Sequence, residues 1–179
     1  MASILPARRL PYSLGGRQRR VQTSEVSVSV ERIYPRKRPG GPQTSHERVQ
    51  IVAGAGIEGD RYFDQHDEPG QNVTFVEAEA IEALLAEYDA PRDLSTTGRN
   101  IVTRGVRLNE LVGREFLVGS VRFHGVDLCE PCMLLGKALA SPALSAAAVV
   151  KRLVHRAGLR ADALSSGELV VGAKFETAA

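Results

Sequence analysis

The chain of 179 residues is 43% hydrophobic and 25% charged and holds two cysteines, and no apolar run approaches the roughly 20 residues a membrane-crossing helix needs. Those values predict one well-cored domain in a reducing, cytoplasmic setting and exclude both a disulfide scaffold and a transmembrane helix. Residues 1–24 carry five arginines and no acid, so the formal +2 of the whole chain becomes −3 over the other 155 residues. A mildly acidic body lacks the basic face that nucleic acid requires, so neither nucleic acid nor membrane is expected as a partner.

The first 24 residues read as a disordered basic extension, with 25–179 as the domain. Prolines at 6 and 11 and Gly15-Gly16 interrupt the amphipathic helix that an organellar transit peptide would need. From Val26 the pattern V-S-V-S-V-E-R-I alternates, which predicts a half-buried strand with Val26, Val28 and Val30 on one side. The following P-R-K-R-P-G-G-P-Q is a loop, since its three prolines and two glycines break regular structure. Arg36, Lys37 and Arg38 there are either phosphate contacts or a solvated basic run.

A helix is predicted over T-F-V-E-A-E-A-I-E-A-L-L-A-E-Y, with Thr74 and Glu77 as a capping box, Ile81, Leu84, Leu85 and Tyr88 on one face, and a stop at Ala90-Pro91. E-F-L-V-G-S-V-R-F-H-G-V predicts a hairpin turning at Gly119-Ser120. A further helix is expected from Ser141-Pro142 to Gly158, with Ala146, Val149, Val150, Leu153 and Ala157 as its stripe. R-A-D-A-L-S-S-G-E-L-V-V-G reads as a second hairpin turning at Ser165-Ser166-Gly167. Many short strands without regular βαβ alternation predict a mainly β, barrel-like fold with a few inserted helices.

The chemistry concentrates at D-L-C-E-P-C-M-L-L, which contains both cysteines, Cys129 and Cys132. A thioredoxin-like redox pair is expected inside a βαβ unit, which is missing here. A zinc site would have to recruit two of His46, His66, His124 and His155, none of them at a paired spacing. Cys129 continues an apolar strand pattern and reads as a packing residue. Cys132 follows Pro131 and precedes a short helix M-L-L-G-K-A-L, where backbone N–H groups favour a thiolate that is both nucleophile and soft-metal ligand. Two glycine-hinged polar stretches, G-I-E-G-D-R-Y-F and S-T-T-G-R-N-I-V-T-R-G-V, offer guanidinium and carboxamide donors beside flexible backbone.

Together G-I-E-G-D-R-Y-F, N-V-T-F-V-E-A-E-A-I-E-A-L, G-R-N-I-V-T, L-V-G-R-E-F-L-V-G-S-V, L-C-E-P-C and H-R-A-G-L-R-A resemble, in that order, the MOSC domain, the C-terminal module of molybdenum cofactor sulfurases. The resemblance runs from about Val28 to Phe175 and suits a stand-alone member of bacterial type. It implies a β-barrel and an association with the molybdenum cofactor (molybdopterin) or with sulfur transfer to it. It implies that Cys132 is the working thiol, as persulfide carrier or as molybdenum ligand. Arg99 and Asn100 match an element that holds the pterin, and Asp60, Arg61 and Arg160 match recurrent binding or structural positions.

The chain carries neither a pyridoxal-phosphate desulfurase domain nor the β-rich domain that accompanies this module in amidoxime-reducing proteins. The resemblance therefore implies a separate cysteine desulfurase as sulfur donor, or an electron-transfer protein if the chemistry is reduction of N-hydroxylated compounds. A non-catalytic cofactor-binding module is the alternative, followed by a C-x-x-C thiol redox protein.

Overall fold

The computed structural model describes residues 28–88, 90–91 and 93–177. The basic extension and Val26 lie outside the described residues. Ten strands, β1 (Ser29–Ile33), β2 (Arg48–Val52), β3 (Gly56–Ile57), β4 (Val73–Glu77), β5 (Ile101–Arg104), β6 (Glu115–Val118), β7 (Val121–Leu128), β8 (Leu159–Ala163), β9 (Gly167–Val170) and β10 (Phe175–Thr177), form two sheets. Seven run in the order β1-β5-β4-β8-β7-β6-β10, and the smaller sheet is β3-β2-β9. Among the strands of the described residues, only β4 and β5 pair in parallel. A bridge between Ser29 and Lys174, with the Val30 N–H donating to the Ala173 carbonyl at 2.9 Å, links β1 to the β10 end and nearly closes the sheet on itself. Near-closure shields the β1 and β10 edges of the larger sheet. The expected barrel-like class is what forms.

A cluster of aromatic rings sits among the aliphatic side chains of the barrel interior. Phe75, Phe116 and Phe123 are almost fully buried, with centroids 5.3–5.7 Å apart. Burial of each ring contributes about 1.5–3 kcal/mol. Outside the barrel, α1 (Ala78–Ala86), α2 (Met133–Leu139) and α3 (Ala146–Leu153) cover β4 and β5. Ile81, Leu84, Leu135, Leu139, Val149 and Leu153 pack there on Val76 and Val102. Among the described residues, no helix is long and apolar enough to cross a membrane.

Several local expectations are corrected. Residues 73–77 are a strand, because β-branched Val73, Thr74 and Val76 meet apolar neighbours on both faces, Val73 and Phe75 inside the barrel and Val76 under the helices. The capping box is absent: α1 is preceded by Glu77 with no side-chain cap, and Thr74 Oγ1 instead donates to Asn100 Oδ1 at 2.8 Å. The Ile81–Leu84–Leu85 face is buried as expected.

The helix expected from Ser141 begins at Ala146. Its cap is Ser145, which accepts from the Ala148 N–H, whereas Ser141 closes a turn with Leu144. The helix ends at Leu153 because His155 adopts a left-handed conformation (φ 59°), three residues before Gly158.

The Gly119-Ser120 hairpin forms, pairing Val118 with Val121. Residues 159–170 do not make a second hairpin: β8 pairs with β4 and β7, while β9 leaves for the smaller sheet and pairs with β2. In β1 a bulge between Val30 and Arg32 shifts the phase, so Val30 and Ile33 are buried and Val28 stands 41% exposed outside the strand.

Candidate functional site

Three segments meet beside the open end of β4: the loop after β3, the turn before β5, and the cysteine loop between β7 and α2. The turn before β5 is a short 3₁₀ helix, Leu94–Thr97, capped by Asp93, whose carboxylate accepts from the Ser95 N–H and hydroxyl. Gly98 closes it at φ 73°, a backbone state that glycine adopts without strain. Arg99 and Asn100 follow at once and point to different tasks.

Asn100 is 2% exposed. Its Oδ1 accepts from the Thr74 N–H (3.2 Å) and hydroxyl (2.8 Å), and its Nδ2 donates to Asp60 Oδ2 at 3.0 Å. Asp60, 5% exposed, also accepts from the Arg36 N–H at 2.7 Å and the Tyr62 N–H at 3.1 Å. Buried polar groups are stable only when so paired, and this network fixes the loop after β3 against the starts of β4 and β5. Asn100, which the resemblance matches to a pterin-holding element, and Asp60, matched to a binding or structural position, are paired here with protein groups in the interior of the site.

Arg99 is bolted across the site instead. Its Nε donates to the Ala157 carbonyl at 2.9 Å and its Nη2 to the Cys129 carbonyl at 3.3 Å, tying β5 to the cysteine loop. With Arg61, Tyr62, Glu68, Gln71, Thr74, Gly98, Cys129 and Arg160 it lines a cleft of about 280 Å³. Arg61 stacks on the Tyr62 ring at 4.3 Å, and Arg160 donates to Glu68 at 2.8 Å. Three buried donor atoms around this region have no protein partner: Arg36 Nε, Arg61 Nη1 and Gln71 Nε2. Burial and the neighbouring Arg61 hold the Arg36 guanidinium below its ordinary pKa. Unpaired buried donors on an arginine-rich wall fit an anionic ligand rich in acceptors.

The two thiols are unlike. Cys129 is half-buried in the cleft wall, and burial pushes its pKa up despite the opposing pull of Arg99 and Arg160. Cys132 is exposed at the cap of α2, and its pKa is lowered by the backbone N–H groups of Leu135 and Leu134 and by Arg99. Cys132 is thus the ionisable, solvent-reachable sulfur expected from the sequence, while the sulfur that lines the cleft is that of Cys129. Between them Glu130 accepts from the His155 N–H at 3.0 Å and pairs with its ring at 2.5 Å, and this bond holds the Glu130 carboxyl below its ordinary range.

Gln71 and the pairing of Glu130 with His155 carry no sequence signal that marks them as parts of a site, whereas Arg36 is a candidate phosphate contact in the sequence. Arg36 lay in a basic run, yet it separates from Lys37 and Arg38, which face another cavity with Gly41, Pro42 and Thr44. His155 stands in the sequence as a zinc candidate and as the first residue of H-R-A-G-L-R-A. Among the described residues no group of three or more His, Cys, Asp or Glu side chains is placed to hold a metal ion. A larger cavity of about 420 Å³, near Val106 and Leu111, contains no thiol.

Residues 63–176 match the model of the MOSC domain. No curated protein sequence matches the chain. Among solved structures, the YuaD protein of Bacillus subtilis superposes with a TM-score of 0.72 at 18% identity, covering 83% of this chain and 93% of that one. YiiM of Geobacillus stearothermophilus gives 0.62 at 13% identity (87% and 76% covered), and YiiM of Escherichia coli 0.56 at 18% (83% and 70%). The structural likenesses carry the fold, and the match over residues 63–176 carries the family: the chain belongs to the MOSC domain family.

Proposed function

We propose that the protein binds the molybdenum cofactor through its arginine-lined cleft and uses Cys132 as a persulfide sulfur carrier beside it. The family is one linked to that cofactor. The observation that supports the reading most is the placement of an exposed, thiolate-favouring Cys132 on the same short loop as the cleft residue Cys129, with Arg99 acting on both.

Arg61, Arg99, Arg160, Arg36 and Gln71 are the groups that would hold the cofactor's phosphate and pterin edge, since guanidinium and amide donors suit both. When bound, the cofactor supplies a metal centre that takes soft sulfur donors. Cys132 does the sulfur handling. Its thiolate attacks the outer sulfur of a donor persulfide, such as one borne by a separate cysteine desulfurase; a new S–S bond forms on Cys132 and the donor thiolate departs. Exposure admits the donor, and the N–H groups at the start of α2 favour the ionised form of the attacking sulfur.

The test is incubation with a cysteine desulfurase and cysteine, followed at once by iodoacetamide trapping and peptide mass analysis. An extra sulfur on Cys132, lost in Cys132→Ser, is expected. Sulfur found on Cys129 alone, or on neither residue, contradicts the proposal.

The position of Cys129 in the cleft wall favours a second reading, reduction of N-hydroxylated compounds with Cys129 as the molybdenum ligand and electrons from a partner protein. In that case Cys129→Ser, not Cys132→Ser, empties the protein of molybdenum.

A further inference from the structure

We infer that the outward face of α2, with the turn after α3, is a docking surface for the protein that delivers sulfur to Cys132, and that this donor presents an apolar spot inside an acidic rim. The inference rests on the carrier reading of Cys132 and adds the surface on which the thiol is offered.

The surface is built from two helices that pack side by side. A Cβ on Gly136 would lie 2.6 Å from the Ala146 carbonyl oxygen and 2.8 Å from Val150 Cγ2, so α2 meets α3 at a point with no room for a side chain. Glu130, just before α2, accepts at 3.0 Å from the N–H of His155, just after α3. Together these contacts set the start of α2 against the end of α3, an antiparallel pair. Leu135, Leu139, Val149 and Leu153 take the inner side, packed with Val76 and Val102. Met133, Leu134 and Lys137 are left outside, with the exposed Cys132 directly before them.

Two properties of this face point to an acidic protein partner. Leu134 is 79% exposed, Met133 50% and Val154 44%, the highest values among the large hydrophobic side chains of the described residues. Met133 and Leu134 follow the thiol directly, and Val154 precedes the histidine that Glu130 holds, so the apolar exposure gathers around Cys132 as at a binding surface. The second property is charge. Residues 130–156 contain four Lys or Arg and one acid, a net +3 on a body that totals −3. Glu130 is engaged by His155 and Arg152 by Glu87, while exposed Lys137, Lys151 and Arg156 have no acidic partner among the described residues. A second copy seated on the same face would set these cations against themselves. A lipid surface would carry Cys132 towards hydrocarbon, which disfavours the thiolate. A donor protein with carboxylates around an apolar centre neutralises the rim, covers Leu134 and brings its persulfide to the thiolate. Cys132 then gains the outer sulfur, the donor's S–S bond breaks and the donor thiolate departs.

The experiment compares two sulfur sources on reduced full-length protein: a purified cysteine desulfurase supplied with cysteine, and sodium polysulfide, which needs no docking. Sulfur on Cys132 is timed by alkylation and peptide mass analysis, and native circular dichroism is checked for each variant. With the enzyme, transfer to Leu134→Ser and to the double variant Lys137→Glu/Lys151→Glu is expected to slow by at least about fivefold. Added salt should slow transfer to wild type, since it screens the rim. With polysulfide, Leu134→Ser should load within about twofold of wild type, because its main-chain N–H beside the thiol is retained. Equal enzyme-driven rates in wild type and both variants overturn the docking surface and leave the carrier reading intact. Equal slowing of Leu134→Ser with both sources places the effect at the thiol and overturns docking as well. No sulfur on wild-type Cys132 from the enzyme overturns the carrier reading itself. Sedimentation of wild type, but not Leu134→Ser, with phosphatidylglycerol vesicles gives the face to a membrane and overturns the protein partner.

Discussion

Arg99 and Cys129 are joined by a hydrogen bond from guanidinium Nη2 to main-chain carbonyl at 3.3 Å, while Arg99 Nε reaches Ala157 at 2.9 Å. One side chain thereby sets the distance between the turn before β5 and the cysteine loop, and places positive charge beside both thiols. Arg99→Lys keeps the charge but loses the fork that serves two carbonyls. We expect a higher Cys132 pKa and alkylation slowed about two- to fivefold at neutral pH, measured with limiting iodoacetamide and peptide mass analysis.

The pH dependence of the two thiols should separate. A thiol reacts as its thiolate, so reactivity rises through its pKa. The Cys132 pKa lies below the ordinary thiol value and that of Cys129 above it. Alkylation of Cys132 should therefore reach half its maximum at lower pH than a model thiol, with Cys129 following only in more alkaline solution. Identical pH profiles for the two peptides would show that the loop does not distinguish them.

Asn100 is predicted to matter for stability before ligand binding. Asn100→Ala strips the Thr74 hydroxyl of its acceptor and the buried Asp60 carboxylate of a donor. The cost should be about 2–4 kcal/mol in urea unfolding.

Gly158 is a second structural point. It sits at φ 123°, and a Cβ built there would lie 2.1 Å from the Phe75 carbonyl oxygen. Gly158→Ala should destabilise by about 3 kcal/mol or more. Because the Gly158 carbonyl also holds the Cys129 N–H, the variant should expose Cys129 to alkylation at lower pH than in wild type.

The cleft arginines make the opposite prediction. Arg61 Nη1 has no protein partner, so Arg61→Gln should leave the melting temperature within about 2 °C. It should weaken anion binding, read as a smaller rise in melting temperature with added pyrophosphate. An equal rise in both proteins would remove Arg61 from the site.

The barrel class and an exposed thiol at the start of a short helix are legible in the sequence because both are local. Strand alternation, the Gly119-Ser120 turn and the thiol at the start of a short helix depend on neighbours in the chain. Residues 73–77 were misread because the helical spacing of Ile81, Leu84 and Leu85 extends backwards without a break, while the burial that makes Val73–Glu77 a strand comes from β5 and β8, 28 and 86 residues away at the starts of those strands. The division between Asn100 as clamp and Arg99 as cleft wall depends likewise on Asp60 and Cys129, distant in sequence. The residue pattern separates Cys129 from Cys132, but that Cys129 lines the cleft beside Arg99 and Arg160 depends on contacts distant in sequence.

The most direct measurement is the molybdenum and pterin content of the full-length protein purified from a host that makes the cofactor. The account predicts that both co-purify with the wild type in equal amounts and that both fall together in Arg61→Gln. Wild-type protein that is fully folded and carries neither would contradict it.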